Sequence, residues 1–273
     1  MASHLGFLAI DAKLRAVPCR DAAELWKALP EMSGQLPPEE GTDPVLLAFG
    51  DPLFVRRFAP ALIASVARNS PSTHVHLHVF GTNGHGLPEI LPDHDRVSVT
   101  WESCDHDAMG TPQRIRFYQS MRFVRLAQLL ERSRRAFLAV DIDSLVQQDL
   151  NRYDHLWNGV DVGLIPRFEL LDPGKRILAA AVFAAPTPAG RRFFQRVSAR
   201  LLPHLLGAPY TEKLDQRCLY LTLHHDSTGV RVAPLPMSLA AISPEDAIIL
   251  SFRGERKDNH PGLPETERSI TAA

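Results

Sequence analysis

The strongest constraint in the sequence is an apolar run, from Phe137 to Val146, that is interrupted by the carboxylates of Asp141 and Asp143. The first half of the run indicates a buried strand that ends in acids. Side chains two residues apart on a strand lie on the same face, so both carboxylates point the same way. Ligands of open α/β sheets bind beyond the carboxyl ends of the strands, where such a pair can share a divalent cation with the phosphates of a nucleotide.

The Asp-x-Asp pattern has two other interpretations. An apolar strand followed by these acids is also how haloacid-dehalogenase-type phosphatases present a nucleophile and its neighbouring acid/base. Alternatively, Asp143 and Ser144 end the strand and begin a turn, because short polar side chains hydrogen-bond to the local backbone. Two acids are fewer ligands than a metal site needs, so the rest of the chain has to distinguish these possibilities.

Composition excludes several classes of protein. The 273 residues suffice for one large domain with a small appendage. Charged residues make up 22% of the chain and the net charge is -1, with no block of one sign that would favour nucleic acid or an anionic membrane. No apolar stretch approaches the roughly 20 residues of a membrane span, and three widely spaced cysteines indicate reduced thiols. We therefore expect a soluble, cytoplasmic protein without a transmembrane segment.

The amino-terminal part of the sequence differs in composition and pattern from the rest of the chain. Asp21 can cap a short helix with Glu24 in the capping-box position, and residues 33–44 then indicate a linker rich in proline, glycine and acids. From Val45 onward, strand and helix patterns alternate, which is typical of an α/β domain. The predicted organisation is a helical arm and linker (1–43), a catalytic domain (44–258) and a polar tail (259–273).

Hydrophobic periodicity predicts the elements of this domain. Besides the strand that ends at Asp141, we expect strands at 45–49, 74–80, 97–101, 160–165, 177–185, 230–235 and 248–252. Helices are predicted at 54–69, at 114–132, from Pro188 and from about Thr211. The longest helix, 114–132, leads directly into the acidic strand, and its Arg122 and Arg125 are candidates for contact with a phosphate or a sugar hydroxyl.

Three histidines, at positions 74, 76 and 78, fall on one face of a predicted strand. Such a face invites a metal hypothesis, but ligands strung along a strand would still need a fourth ligand and supporting hydrogen bonds. A polar strand face covered by a loop or helix is the alternative that we favour.

Four further segments accompany the two acids in a fixed order: Ala48-Phe-Gly-Asp51 with Phe54, Phe123-Val-Arg-Leu126, Leu214-Asp-Gln216 and Ser251-Phe-Arg-Gly-Glu-Arg-Lys257. In this order, from about Val45 to Lys257, the chain resembles the GT-A-fold glycosyltransferases, most nearly the retaining, metal-dependent family-8 group. The order of the segments is more specific than any one of them. The resemblance implies a mixed, mostly parallel sheet flanked by helices.

The resemblance also implies roles for residues around the donor nucleotide. Asp51 matches an acid that reads uracil, and Phe54 stands where an aromatic ring packs on the base. Arg125 matches an arginine near the donor sugar. Asp141 and Asp143 match the family's metal-binding Asp-x-Asp, which would hold Mn or Mg.

The later segments match the family's sugar and diphosphate contacts. Asp215 and Gln216 match an Asp-Gln pair near the sugar hydroxyls and the anomeric carbon, and they are the expected catalytic residues. Gly254 would let the backbone approach the diphosphate, and Lys257 would contact it. The closing segment has Ser251 where the family has a histidine that binds the metal, so the protein would supply one metal ligand fewer.

A second departure concerns the donor sugar. The family's Asn-Ala-Gly segment over the donor sugar reads Ala179-Ala-Ala181 in this chain, which leaves the sugar open. The acceptor (glycan, lipid or protein) and the oligomeric state are not indicated by the sequence.

The resulting expectation is a glycosyltransferase that uses a nucleoside-diphosphate sugar, with a UDP-linked sugar favoured and retention of configuration favoured over inversion. A non-catalytic sugar-nucleotide or glycan-binding relative is the first alternative. The phosphatase is a more distant one, because it needs a downstream lysine and a second acidic pair near a strand end. The later elements offer only Asp161 and the helical Asp215.

Overall fold

The computed structural model describes residues 22–84, 95–103, 109–207 and 212–252. Within these residues, eight strands form one sheet. In spatial order they are β1 (Ser33–Gly34), β4 (Val97–Glu102), β3 (Val75–Phe80), β2 (Val45–Gly50), β5 (Phe137–Asp141), β8 (Ile177–Ala184), β7 (Val162–Pro166) and β9 (Val232–Pro234). Strands β4, β3, β2 and β5 are mutually parallel, β8 runs antiparallel to both of its neighbours, and β9 is parallel to β7.

Helices cover both faces of this sheet. They are α1 (Ala22–Trp26), α2 (Pro52–Asn69), α3 (Thr111–Arg132), α4 (Pro188–Leu205) and α5 (Leu214–His225), with short 3-10 turns at Leu150–Leu156, Pro173–Lys175 and Met237–Ala240. On β2, Leu47 belongs to the core packed on α3, α4 and α5, whereas Leu46 belongs to the core packed on α2. This alternation follows from the period of two on a strand. The mixed, mostly parallel α/β architecture expected from the sequence is therefore confirmed.

The acidic run is divided between two sheets. Strand β5 ends at Asp141, the chain turns through Ile142 and Asp143, and β6 (Ser144–Val146) begins a separate two-stranded sheet with β10 (Ile249–Ser251). In this antiparallel pair, Ser144 lies opposite Ser251. Asp141 is thus the last residue of a central strand, at the carboxyl edge of the parallel strands, as the sequence pattern indicates.

The three histidines, His74 just before β3 and two within it, belong to a buried hydrogen-bonded row rather than to a metal site. Ser98 Oγ contacts His74 Nε2 at 2.8 Å and His76 Nδ1 at 2.7 Å. Thr100 Oγ1 contacts His76 Nε2 at 3.0 Å and His78 Nδ1 at 2.9 Å. The row continues to Glu102, whose Oε2 lies 3.6 Å from His78 Nε2. Each ring therefore lies beside a hydroxyl of β4, which is the covered polar face favoured from the sequence.

The arm before β2 is fastened by arginine side chains. Arg125 donates to the carbonyl of Pro30 at 2.9 Å, and Arg132 donates to the carbonyl of Met32 at 3.3 Å. The guanidinium of Arg135 donates to the carbonyls of Pro38, Glu40 and Asp43. Carbonyl acceptors on a chain with little regular structure thus satisfy two buried guanidinium groups, those of Arg125 and Arg135, and one exposed group, that of Arg132.

Within the described ranges, no helix combines the length and the apolar composition that crossing a membrane requires.

Candidate functional site

A cavity of ≈ 730 Å³ opens at the carboxyl edge of the parallel strands. Its walls come from α3, from the end of β5, from the start of β8 and from the start of α5. The described residues that line it are Ile115, Arg116, Gln119, Arg122, Asp141, Asp143, Arg167, Lys175, Leu178, Ala179, Ala180, Glu212, Lys213, Asp215, Gln216 and Phe252. This position agrees with the rule that open α/β sheets bind ligands beyond the carboxyl ends of their strands.

The cavity brings together four residues that the sequence singled out. Asp141 and Asp143 arrive from the β5–β6 turn, and Asp215 and Gln216 arrive from the first turn of α5. These two pairs lie more than 70 positions apart in the chain. Asp141 is partly exposed, with 29% of its side chain accessible, whereas Asp143 and Asp215 are buried.

Arg122 connects the two acidic pairs. Its Nη1 donates to Asp141 Oδ1 at 2.6 Å, and its Nη2 lies 3.3 Å from Asp215 Oδ2. Nη2 also donates to the carbonyl of Ala179 at 2.9 Å, at the start of β8. One planar guanidinium thus fixes groups from three elements, which suits the fork of donors that arginine presents.

Burial and neighbouring charges shift the pKa values of Arg122 and Asp215. Burial opposes the charge on Arg122, but the neighbouring carboxylates of Asp141 and Asp215 raise the pKa of its guanidinium above the ordinary value. Burial raises the pKa of the Asp215 carboxyl, and the attraction of Arg122 opposes that rise. Arg122 therefore stays charged and keeps two acids close together on the cavity floor.

Gln216 is held on the other wall of the cavity. Arg167, which follows β7, donates from Nη2 to Gln216 Oε1 at 3.1 Å. The side-chain amide of Gln216 is thereby oriented with its N–H₂ group away from Arg167, because the oxygen accepts this bond.

Arg125, the arginine expected near a donor sugar, lies elsewhere. It is 1% exposed and forms an ion pair with Glu102 of β4, which is equally buried. It also donates to Gln128 Oε1 and to the carbonyl of Pro30. Three residues earlier on α3, Arg122 is the arginine that contacts the acids of the cavity.

The residues expected at the nucleotide base have structural contacts. Asp51 caps α2, and its Oδ1 accepts a hydrogen bond from the Phe54 backbone N–H at 2.8 Å. The Phe54 ring packs on Phe58, with 5.4 Å between the ring centroids. Among the described residues that line the cavity, neither Asp51 nor Phe54 is present.

Phe252, the second residue of the closing segment that starts at Ser251, lies at the cavity. The Phe252 backbone N–H donates to the Asp143 carbonyl at 3.3 Å, and Phe252 lines the cavity. Ser251 is buried, and its hydroxyl lies 3.3 Å from that of Ser144. Gly254 and Lys257 lie outside the described residues.

Sequence reasoning left two contributors to this site, Arg167 and Lys175, without a role, and it named Arg122 only together with Arg125 as a candidate phosphate or sugar contact. Arg167 lies in an irregular segment and Lys175 in a three-residue 3-10 turn, where hydrophobic periodicity carries no signal. The small residues of β8 gave one hint. Ala179 and Ala180 line the cavity, where larger side chains would fill the space beside Asp141.

Comparisons with known proteins address the fold. No protein-family model matches the sequence, and no curated protein matches it significantly. Among solved structures, the bifunctional glycosyltransferase WbbM in its apo form is similar over 88% of this chain and 53% of its own, with a TM-score of 0.53 and 14% identity. The glycosyltransferase GlyE of Streptococcus pneumoniae TIGR4 is similar over 85% of this chain and 60% of its own, with a TM-score of 0.52 and 12% identity.

These similarities show a fold shared with glycosyltransferases. The chain spans somewhat more than half the length of either structure. At these identities the likeness carries no residue roles, which have to come from the cavity itself.

Proposed function

We propose that this chain is a glycosyltransferase that takes its donor from a nucleoside-diphosphate sugar, with a UDP-linked sugar favoured. The observation that carries the proposal is the meeting of Asp141, Asp143, Asp215 and Gln216 in one cavity at the carboxyl edge of the sheet. The fold shared with two glycosyltransferases supports the same conclusion. A transferase needs such a concave site because water has to be excluded while the sugar is between two partners.

The floor of the cavity suits a divalent cation that is bound together with a nucleotide. Asp141 and Asp143 offer hard oxygen ligands, as Mn or Mg requires. Within the described residues no group of three or more histidine, cysteine and acidic side chains is placed to hold a metal. The diphosphate and water would therefore supply the other ligands, and a bound ion would neutralise charge that develops on the leaving diphosphate.

Arg122 is assigned to the donor site in place of Arg125. It keeps Asp141 and Asp215 at fixed positions, and its charge lies where the donor's phosphates and sugar would approach. In the proposed reaction, the bond between the anomeric carbon and the diphosphate oxygen breaks, and a bond to an acceptor hydroxyl oxygen forms. The acceptor proton leaves with the released nucleoside diphosphate, so no separate protein base is required for retention.

Asp215 and Gln216 are assigned to the sugar itself. Asp215 is buried beside Arg122, and Gln216 is oriented by Arg167. Groups held in this way are positioned before the donor arrives, which lowers the cost of ordering them in the transition state. The preference for UDP rests on the resemblance of the segment that ends at Asp51.

The test is calorimetric binding of UDP, GDP, CDP and dTDP with and without Mn, followed by measurement of nucleotide released from their sugars. UDP should bind with a dependence on Mn, and Asp143→Asn should remove that dependence. Asp95→Asn is the matched control, because Asp95 is exposed just before β4, at the opposite edge of the sheet. Binding of UDP without release of UDP from any donor sugar would favour the non-catalytic relative. Absence of nucleotide binding would exclude the transferase.

A further inference from the structure

The cavity has two ends of opposite charge. The floor carries three acids and one cation, with side chains that are buried or nearly so: Asp141, Asp143, Asp215 and Arg122. The mouth carries four cations and one acid, with side chains that are exposed or half-buried: Arg116, Arg167, Lys175, Lys213 and Glu212. A donor site alone does not explain this division, because the excess of positive charge is at the more exposed end.

Helix α3 gives the distance between the two ends. Arg116 and Arg122 both line the cavity and lie six residues apart. At 1.5 Å per residue they are separated by about 9 Å along the helix axis. Arg116 is therefore attached to the helix well away from Arg122, the residue that contacts Asp141.

Two of the mouth cations have no acidic partner in the described part of the chain. Arg116 is paired with Glu212 at 2.8 Å, and Arg167 donates to Gln216. Lys175 and Lys213, in contrast, form no ion pair with any described acid, although both line the cavity wall. Like charges along one concave wall raise its potential and attract an anion.

We propose that the mouth binds an acceptor that carries a negative charge, either a phosphate or a carboxylate, next to the hydroxyl that receives the sugar. The proposal rests on the proposed transferase function and names the class of its second substrate. Arg167 links the two sites, because it lies at the mouth and holds Gln216, the residue assigned to the anomeric carbon. An acceptor bound by Lys175 and Lys213 would thus present its hydroxyl beside the donor sugar.

The donor's own diphosphate is the competing source of negative charge. It is assigned to the floor, where the closing segment approaches through the bond from Phe252 to Asp143. The mouth cations come from the start of α3, the segment after β7 and the start of α5. These elements are distinct from β10, where the closing segment begins, so we assign the cations to a second ligand.

The experiment is titration calorimetry at saturating UDP and Mn with two matched pairs of probes. The first pair, methyl glucoside and glucuronic acid methyl glycoside, tests a carboxylate, and the second pair, glycerol and glycerol 3-phosphate, tests a phosphate. The charged member of at least one pair should bind about tenfold more tightly than its neutral partner, as expected for a charge-assisted contact that is partly solvated. Whichever pair shows the difference identifies the source of the charge.

The double variant Lys175→Gln, Lys213→Gln should bring the charged probe down to the affinity of its neutral partner. Lys27→Gln is the control, because Lys27 is exposed outside the cavity and paired with Glu24. Equal affinity of charged and neutral probes for the wild-type protein would overturn the proposal, as would competition between the charged probe and UDP. If UDP itself does not bind, the proposed function fails, and the same titration without UDP still decides whether the mouth prefers an anion.

Discussion

Arg122 Nη1 donates to Asp141 Oδ1 at 2.6 Å, and Arg122 Nη2 lies 3.3 Å from Asp215 Oδ2. One guanidinium group therefore holds the end of β5 against the start of α5. Both contacts lie in a largely enclosed place, where charges interact more strongly than in water. Arg122 and the two acids therefore fix the shape of the cavity floor together.

Arg122 and Arg125 are predicted to behave in opposite ways. Arg122→Met should lower turnover of the donor sugar by about tenfold or more, on the order of one lost charge-assisted bond. Arg125→Met should instead destabilise the fold by roughly 3–5 kcal/mol, because it leaves Glu102 buried without its cation. Donor kinetics and urea denaturation of both variants distinguish the two. A normal stability of Arg125→Met combined with loss of turnover would return the donor contact to Arg125.

Substitutions of Asp51 can distinguish its role as a helix cap from a role in recognising the nucleotide base. Asp51→Ala should cost about 1 kcal/mol of stability through loss of the cap on α2, whereas Asp51→Ser keeps an acceptor oxygen and should retain stability. If the carboxylate also reads uracil, Asp51→Ser should lose the preference for UDP over CDP. A preference unchanged in the serine variant would leave Asp51 with the cap alone.

The buried histidines should make the protein sensitive to mild acid. Burial lowers the pKa of His76 and, against the attraction of Glu102, that of His78. The unfolded chain takes up protons near pH 6.5 while these folded rings stay neutral, so stability should fall as the pH drops below about 6.5. Urea midpoints from about pH 8 to 5 measure the slope, and His76→Asn should reduce it. A slope that this substitution leaves unchanged would assign the acid sensitivity to other groups.

Asp161 should control stability in stronger acid. Burial alone would raise its pKa, but hydrogen bonds from Arg231 and Thr187 lower the pKa to about 2, from a usual value of 3.8. The stabilisation is therefore fully present above about pH 3.8 and is lost as the pH falls toward about 2. At neutral pH, Asp161→Asn should cost about 1–3 kcal/mol, and the difference from wild type should shrink in acid. Glu39→Gln, in an exposed pair, should change little.

The direction of hydrogen-bond donation along the row of histidines fixes the tautomer of each ring, and NMR can test it. Glu102 only accepts, so we expect His78 to direct its Nε2–H toward the Oε2 atom 3.6 Å away, and Thr100 then donates to His78 Nδ1. The same reasoning along the row makes His76 and His74 Nε2–H tautomers as well. Nitrogen chemical shifts of the three rings should report this form throughout. A ring that carries its proton on Nδ1 instead would contradict the inferred direction of hydrogen-bond donation.

The strands and the acidic turn were predictable because their signals are local. Apolar runs identify β2 and β5, alternation of apolar residues with histidines identifies β3, and acids that follow a buried strand indicate its functional end. The order of the motifs then predicted that Asp215 belongs with Asp141, although the pairing itself is a property of three-dimensional structure. The strands needed only periodicity, whereas the association of Asp215 with Asp141 came from the resemblance to the GT-A-fold glycosyltransferases.

The role of Arg125 was not predictable from the same signals. Arg122 and Arg125 lie three positions apart on α3, and the helix pattern gives them neighbouring directions. Glu102, at the end of the strand that precedes α3, is the buried partner of Arg125, and helix periodicity alone does not reveal that contact. Arg167 and Lys175 were not predicted for a different reason. Arg167 lies in an irregular segment and Lys175 in a three-residue 3-10 turn, and neither is long enough to show hydrophobic periodicity.

The arm that precedes β2 has the composition of a linker, yet its carbonyls accept hydrogen bonds from Arg125, Arg132 and Arg135. A protein shortened to begin at Val45 would keep every strand from β2 onward and lose the acceptors of three guanidinium groups. Arg125 would keep its contacts with Glu102 and Gln128, whereas Arg135 would lose the three carbonyls to which it donates. Residues 30–43 thus contribute hydrogen bonds to the domain that follows them, and we expect a fragment that omits them to be less stable than one that keeps them.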